Sequence, residues 1–424
     1  MNGYLSSIAT ISVVFVTLLS VLPSYVYLMP QQRNPYRRPS PVILIPGDGG
    51  SRLEAKLDKP KVVNILCDRK TRDYFNLWLN LELAIPDFID CMVDNMRLVY
   101  NNETRTTSNS PGVDIRIPHF GNTSAVEWLD PNAATAMISR LTYTTYFADI
   151  IDMLVREGYR RGVDVRGAPY DHRKAPNEYK KYFEDLRNLT EETYSMNFRR
   201  KITFICHSMG CPVISYFLNM QTQLWKEKYV KRIIAVAGAF GGAVKAMKGF
   251  AAGDNLGVPI INALKVRDHI RTCPSLAYML PSSELWNENE ALMVTQKKVY
   301  TVADFHEFFQ DINYTTGYEM YKDTHRYALK SLQPPGVEVH CLYGINVDTV
   351  ERVDYKNMKF FPDHPELIYG NGDGTVNEKS MAACMLWQGK QKQKVQRVLL
   401  HKAEHLEILA DERTLKYIRK VIYQ

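Results

Sequence analysis

Between Ile202 and Gly210 the chain reads Ile-Thr-Phe-Ile-Cys-His-Ser-Met-Gly, and from Pro212 to Leu218 it takes up an apolar pattern of helical type. A short, almost wholly apolar run fits a strand buried on both faces. A strand that passes into a helix within a few residues, with Ser at the turn and Gly two places later, leaves few folds open. It is the setting in which a serine is pushed out on a sharp turn at the end of a parallel sheet. In the general pattern the residue two before the serine is glycine; here it is Cys206, which is small, and Gly210 is retained. Ser208 is therefore a candidate nucleophile, and the backbone N–H of Met209, the next residue, a candidate oxyanion donor. Ser and Gly also occur in strand-to-helix turns that carry no chemistry, so the partners decide.

The rest of the chain has the rhythm such a turn requires. Val42–Ile45, Ile202–Cys206, Ile233–Ala237, Val337–Tyr343 and Val395–Leu400 are strand candidates. Between them, helical periodicity predicts helices over Tyr146–Glu157, 176–197, Val213–Trp225 and Leu406–Ile422. Alternating strands and helices predict an α/β fold built on a mostly parallel sheet covered on both faces. Two stretches, roughly 60–130 and 241–335, break the rhythm with aromatics and polar turns, and read as insertions on a core.

A serine nucleophile needs a base and a group that fixes the base's tautomer. In hydrolases of this architecture the order is Ser, Asp, His. Asp373 lies in Gly370-Asn-Gly-Asp-Gly-Thr-Val376, a turn whose glycines let a carboxylate swing toward an imidazole, and His405 lies between the last strand and the last helix. Asp373 could instead cap a helix. Asp348 and His401 are the rival acid and base. Gly47-Asp48-Gly49-Gly50 follows the first strand but has Arg52 where a dinucleotide turn needs its third glycine, so no nucleotide cofactor is expected. In a hydrolase that turn gives the second oxyanion N–H, from Asp48 or Gly49.

Compartment is read from three features. Ile8 to Leu28 is mostly apolar, which predicts a secretory signal peptide over about 1–33, although no basic side chain precedes the apolar run. Asn102, Asn122, Asn188 and Asn313 head glycosylation sequons. Seven cysteines are too few for a disulfide scaffold and too scattered for a zinc site, so no metal is expected, and an odd count leaves one thiol over. The net charge is +7, and six of these surplus charges fall between Lys379 and Gln424, where ten basic residues stand against four acidic ones. That placement suits anionic lipid, and no nucleic-acid motif accompanies it.

Longer strings then narrow the reading. Pro46-Gly-Asp-Gly-Gly-Ser-Arg-Leu-Glu-Ala-Lys-Leu-Asp-Lys-Pro60, Asp164-Val-Arg-Gly-Ala-Pro-Tyr-Asp171, His340-Cys-Leu-Tyr-Gly344 and Gly372-Asp-Gly-Thr-Val-Asn377 resemble the lecithin:cholesterol acyltransferase family, and within it the lysosomal phospholipase A (group XV) branch, whose members also acylate ceramide. The resemblance runs from about residue 41 to the end. It implies an α/β-hydrolase core over 34–424, Ser208, Asp373 and His405 as triad, and Asp48 with Met209 as oxyanion donors. It also implies a Cys67–Cys91 disulfide closing a membrane-binding insertion at about 66–100, and a cap over about 241–335 whose 241–275 part is a mobile lid. The large apolar groups of that loop, among them Trp78, Leu79 and Leu81, agree with a bilayer-facing surface, the alternative being that they pack on the core. Three departures stand out: Cys206 for Ala, Phe240 after Ala239 for a Pro-Trp pair, and His172 for Trp, the last two bearing on the acyl pocket. The expected activity is that of a lumenal serine phospholipase A/acyltransferase, lysosomal or secreted and without cofactor. It would work at a phospholipid bilayer or lipoprotein surface that is preferably anionic, passing acyl groups to water or a lipid alcohol such as ceramide. A secreted sterol acyltransferase and a non-catalytic lipid-binding protein are the alternatives.

Overall fold

The computed structural model describes residues 39–131, 144–255, 262–355 and 365–424. The expected signal peptide and residues 256–261 of the expected lid lie outside the described residues.

Six strands form the central sheet: β1 (Val42–Ile45), β2 (Val165–Gly167), β3 (Ile202–His207), β4 (Val230–Val236), β5 (Glu338–Ile345) and β6 (Val395–His401). Their spatial order is β6-β5-β4-β3-β1-β2, and every neighbouring pair is parallel. All residues of β1 and β3 are buried, as a parallel strand covered on both faces requires. Five of these strands match the expected runs to within a few residues. The sixth, β2, has only three residues, too short for periodicity to find.

The helices used below are α1 (Ala148–Arg156), α2 (Lys180–Met196), α3 (Gly210–Asn219), α4 (Val244–Ala252), α5 (Ala263–Ile270), α6 (Thr315–Ser331) and α7 (Glu412–Ile422). The expected helix Val213–Trp225 is two helices, α3 and Gln223–Tyr229. Thr222 is extended and its side chain accepts from the Trp225 N–H, which starts a new helix where the apolar pattern alone reads as continuous. In α7, Asp411 caps the first turn while Arg419 and Lys420 sit in the last, so side-chain charge opposes the helix dipole at both ends. With the parallel sheet, its flanking helices and the serine turn after β3, this is the α/β-hydrolase fold.

The two insertions build structure outside the central sheet, the first sharing the sheet's core. The first carries a three-stranded antiparallel sheet of Phe75–Trp78, Leu53–Leu57 and Val113–Arg116, and a hairpin of Leu98–Asn101 with Thr106–Asn109. The second has an apolar cluster of its own, in which Met247, Phe250, Trp286, Phe308 and Phe309 pack with Val353 and Tyr355. That cluster extends beyond residue 335 into Val347–Tyr355, a strand paired with Glu366–Gly372, and the latter leads straight to Asp373. The cap's core is thus continuous in the chain with the turn that carries the acid.

Candidate active site

Ser208 has φ +53°, the left-handed backbone that a side-chain-bearing residue adopts only when its surroundings hold it there. The turn is held by close packing on the first loop. A Cβ on Gly210 would stand 2.3 Å from the Pro46 carbonyl oxygen, and one on Gly47 would stand 2.6 Å from Ser208 Cβ, so both positions require glycine. Cys206 and Cys211, on either side of the serine, form a disulfide with Cα atoms 5.0 Å apart.

The structure brings Ser208, His405 and Asp373 into one hydrogen-bonded line. His405 Nε2 lies 2.9 Å from Ser208 Oγ, and His405 Nδ1 lies 2.7 Å from Asp373 Oδ2. A carboxylate only accepts, so Nδ1 carries the proton and Nε2 is left as the acceptor facing the serine hydroxyl. Asp373 is fully buried; its other oxygen accepts the Thr375 and Val376 N–H groups at 3.1 and 2.8 Å, and its carbonyl accepts the His405 N–H at 2.9 Å. The rivals lie elsewhere: Asp348 is exposed, and exposed His401 bonds Asn346 at 2.9 Å.

These groups open onto a cleft of about 1100 Å³, part of it open to solvent. Asp48 and Met209 both line it, and neither of their backbone N–H groups has an acceptor among the described residues. The Asp48 side chain faces the cleft and is exposed there; the protein crowded around it pushes its carboxyl up toward about 7, against the Gly49 N–H and with help from Asp254, and solvent in the cleft screens part of that shift.

Comparison with known proteins matches Lecithin:cholesterol acyltransferase over residues 74–412. The chain belongs to this family. It is 44% identical over 397 residues to "Lysosomal phospholipase A and acyltransferase" of Rattus norvegicus, covering 93% of this chain and 92% of that protein. The Homo sapiens protein of the same name is 43% identical over 389 residues, with 92% of each chain covered. "Phosphatidylcholine-sterol acyltransferase" of Gallus gallus is 39% identical over 410 residues, covering 94% and 97%.

In this member of the lecithin:cholesterol acyltransferase family the far wall of the cleft comes from the insertions and the turn after β2: Trp78, Lys245, Asp254 and Met279, with His172, His269 and Cys273. His172 packs on Trp78 with ring centroids 5.8 Å apart, and its buried Nδ1 has no hydrogen-bond partner among the described residues. Burial pulls His172 down to about 4, Asp171 opposing and Arg173 adding, and pulls His269 down to about 3, with Arg173 and His172 adding. Both rings are therefore neutral at pH 5 and above. Phe240 is absent from the cleft lining and packs edge-on against Trp387 at 5.1 Å, so of the two departures expected near the acyl pocket only His172 touches it.

The expected bilayer residues need correction. Trp78 and Leu79 are 3% and 1% exposed and belong to the main core, and Leu81 packs against it half-buried. The physical reason is that Trp78 lies on a strand of the small sheet facing the core, where its Nε1–H donates to the Gly49 carbonyl at 2.7 Å. Among the described residues, the large apolar groups of the same insertion that do face outward are Val63, Ile65, Leu66, Ile85, Val99 and Phe120, the first four lying nearest in the chain to Cys67 and Cys91. Cys67 and Cys91 are bonded with Cα atoms 5.3 Å apart. Cys341 pairs with Cys384, which leaves buried Cys273 as the free thiol. Asn102, Asn122, Asn188 and Asn313 are all exposed. Among the described residues no group of three or more His, Cys, Asp or Glu side chains could hold a metal ion, and no helix is long and apolar enough to cross a membrane. Sequence reasoning missed Tyr146, His207 and His269, which bear on the site only through contacts between distant segments.

Proposed function

We propose that this chain is a serine phospholipase A and O-acyltransferase. It takes a fatty acyl chain from a glycerophospholipid and passes it to water or to a lipid alcohol such as ceramide. The observation that carries the reading is the Ser208–His405–Asp373 line opening into a largely apolar cleft between two unpartnered N–H groups. Ser208 Oγ attacks the ester carbonyl while His405 Nε2 takes its proton, and Asp373 steadies the imidazolium. The oxyanion is received by the N–H groups of Asp48 and Met209. His405 then returns the proton to the departing lysophospholipid, leaving the acyl ester on Ser208. In the second half His405 takes a proton from the incoming hydroxyl, whose oxygen displaces Ser208, and the serine is reprotonated.

Water at about 55 M outcompetes a dissolved alcohol unless the alcohol is held at the reaction centre by a site that restricts water. The insertion wall of the cleft is suited to that task. Docking is assigned to Val63, Ile65, Leu66 and Ile85 beside the Cys67–Cys91 bond, with the basic C-terminal surface favouring anionic lipid. Three disulfides, four exposed sequon asparagines and the name of the lysosomal relatives support a route through the secretory pathway to the lysosome or beyond the cell. A sterol acyltransferase is the second reading, favoured by the 39% identity to the Gallus gallus enzyme. The deciding experiment incubates the purified protein with phospholipid vesicles containing ceramide or sterol at pH 5 and pH 7. Acylceramide would support the first reading and steryl ester the second. A protein that releases no fatty acid and is not labelled by a fluorophosphonate would be a lipid binder.

A further inference from the structure

Two buried polar side chains beside the triad are not used by the chemistry above. His207, next to Ser208, is 1% exposed, and Tyr146, from the segment leading into α1, is 5% exposed. Tyr146 Oη lies 2.9 Å from the Gly47 N and 2.5 Å from His207 Nδ1, and His207 Nε2 lies 2.8 Å from the His405 carbonyl oxygen.

The direction of every proton in this line follows from its two ends. A backbone N–H only donates, so Tyr146 Oη accepts from Gly47. A carbonyl only accepts, so His207 Nε2 carries a hydrogen and donates it to His405. A neutral imidazole has one such hydrogen, which leaves Nδ1 as an acceptor, and the Tyr146 hydroxyl hydrogen supplies it. Each of the four groups is then satisfied, and no other arrangement of a neutral ring achieves this. A charged ring would set an N–H against the hydroxyl, and burial drives His207 strongly toward the neutral form.

The first loop is shaped around this tyrosine. A Cβ on Gly47 would come within 3.0 Å of the Tyr146 hydroxyl, and a Cβ on Gly50 within 2.5 Å of its ring. The same loop presents the Asp48 N–H. At the far end the backbone of His405 is gripped on both sides, its N–H by the Asp373 carbonyl and its own carbonyl by His207.

We propose that Tyr146 and His207 are positioning residues: the chain Gly47 N–H, Tyr146 hydroxyl, His207 ring, His405 carbonyl locks the loop bearing one oxyanion donor to the backbone of the base. It sets the separation between the point where negative charge gathers and the nitrogen that receives the proton. Tyr146 is absent from the cleft lining, so its loss slows acylation and leaves substrate binding alone, whereas His207 borders the cleft beside Ser208 and is read from the difference between its variants. This rests on the triad assigned above.

The test has one arm independent of activity. Nitrogen-15 spectra of the histidine side chains in the intact protein are expected to show His207 as the neutral Nε2–H tautomer throughout pH 5 to 7, and that preference is expected to fade in Tyr146→Phe, which keeps the ring but loses the hydroxyl. A His207 in the Nδ1–H tautomer, or one that titrates in that range, overturns the proposal. In the kinetic arm, Tyr146→Phe should lower the fluorophosphonate acylation rate and kcat by about ten- to a hundred-fold with KM within about two-fold. His207→Gln, which places an N–H donor near the lost Nε2, should recover most of the activity that His207→Leu loses. Wild-type rates in Tyr146→Phe, or equal losses for Gln and Leu, also overturn it. If Tyr146→Phe does not fold, the wild-type spectra and the Gln and Leu pair still decide. If instead Ser208→Ala remains active, the triad reading fails while the tautomer result stands on its own.

Discussion

The two walls of the cleft are built on opposite principles. On the sheet wall, tight turns hold the reacting groups: Ser208 in a left-handed conformation, glycines at 47 and 210 where a Cβ would collide with the neighbouring segment, and a buried Asp373 with both carboxylate oxygens hydrogen-bonded. On the insertion wall the groups are long side chains from separate segments, including two neutral imidazoles, one with a nitrogen left unpartnered among the described residues. The sheet wall admits almost no substitution without loss of geometry. The insertion wall has fewer such constraints and can change residues without disturbing the hydrogen-bonded line of Ser208, His405 and Asp373. Chemistry is thereby separated from selection of what enters.

The comparison is broken most directly on the sheet wall. Ser208→Ala is expected to lower turnover about a million-fold and Asp373→Asn about ten-thousand-fold, by analogy with serine hydrolase triads. Melting temperatures should hardly move, since neither change alters volume much. Substantial phospholipid hydrolysis by Ser208→Ala would remove the distinction altogether.

The walls also respond to acid with opposite sign. Asp48 is raised from 3.8 to about 7, so its native form binds more protons than the unfolded chain between those values. Its contribution to stability is complete below about 4 and is lost as pH rises through about 7. His172 and His269 are lowered from 6.5 to about 4 and about 3, so the unfolded chain binds the extra protons. Their contribution is complete above about 6.5 and is lost as pH falls toward 4 and 3. For the two buried histidines the slope is at most on the order of 1 kcal/mol per pH unit, and for Asp48, which is exposed to the cleft, it is smaller because solvent screens the charge. Thermal melts should show Asp48→Asn flattening the loss toward neutral pH and His172→Gln flattening the loss toward acid. The same Asp48 carboxylate, once ionised beside the oxyanion, should depress acylation as pH rises through about 7, which stopped-flow fluorophosphonate labelling across pH 5 to 8 would measure.

The smallest effect is expected at the face of the insertion proposed to dock on lipid. Ile65, 95% exposed, should weaken binding to anionic vesicles several-fold on change to Ser, with hydrolysis of a water-soluble ester unchanged. Trp78→Ser, by contrast, should destabilise the fold and lower both activities, because that ring lies in the core under Gly49. Equal behaviour of the two variants in vesicle flotation would erase the corrected division between inner and outer faces of the insertion.

What the sequence made legible follows the range of the interactions involved. Wholly buried parallel strands such as β1 and β3 leave an apolar run, and the serine turn leaves a local signature, so five of the six strands and the nucleophile candidate can be read directly. Asp373 and His405 are read from their turns and order, since chain order in this fold reports spatial order. The faces of the 60–130 insertion cannot be read this way: Trp78 and Ile65 are equally apolar, and only the small antiparallel sheet decides which points inward. The Cys206–Cys211 bond and the Tyr146–His207 contact are invisible for a related reason. One depends on how tightly a turn closes, the other on a segment 61 residues away.

The backbone of Ser208 has a consequence for how such a protein can change over time. A left-handed conformation costs a side-chain-bearing residue roughly 1 kcal/mol that glycine does not incur. Replacing Ser208 by glycine would therefore relax the turn, and the inert protein would be the sturdier one. A lineage that lost the need for the reaction would find this change favoured by folding itself, and could keep the cleft as a lipid-binding site. Under the proposed function, the serine at φ +53° marks a role maintained against the drift toward a more stable, silent relative.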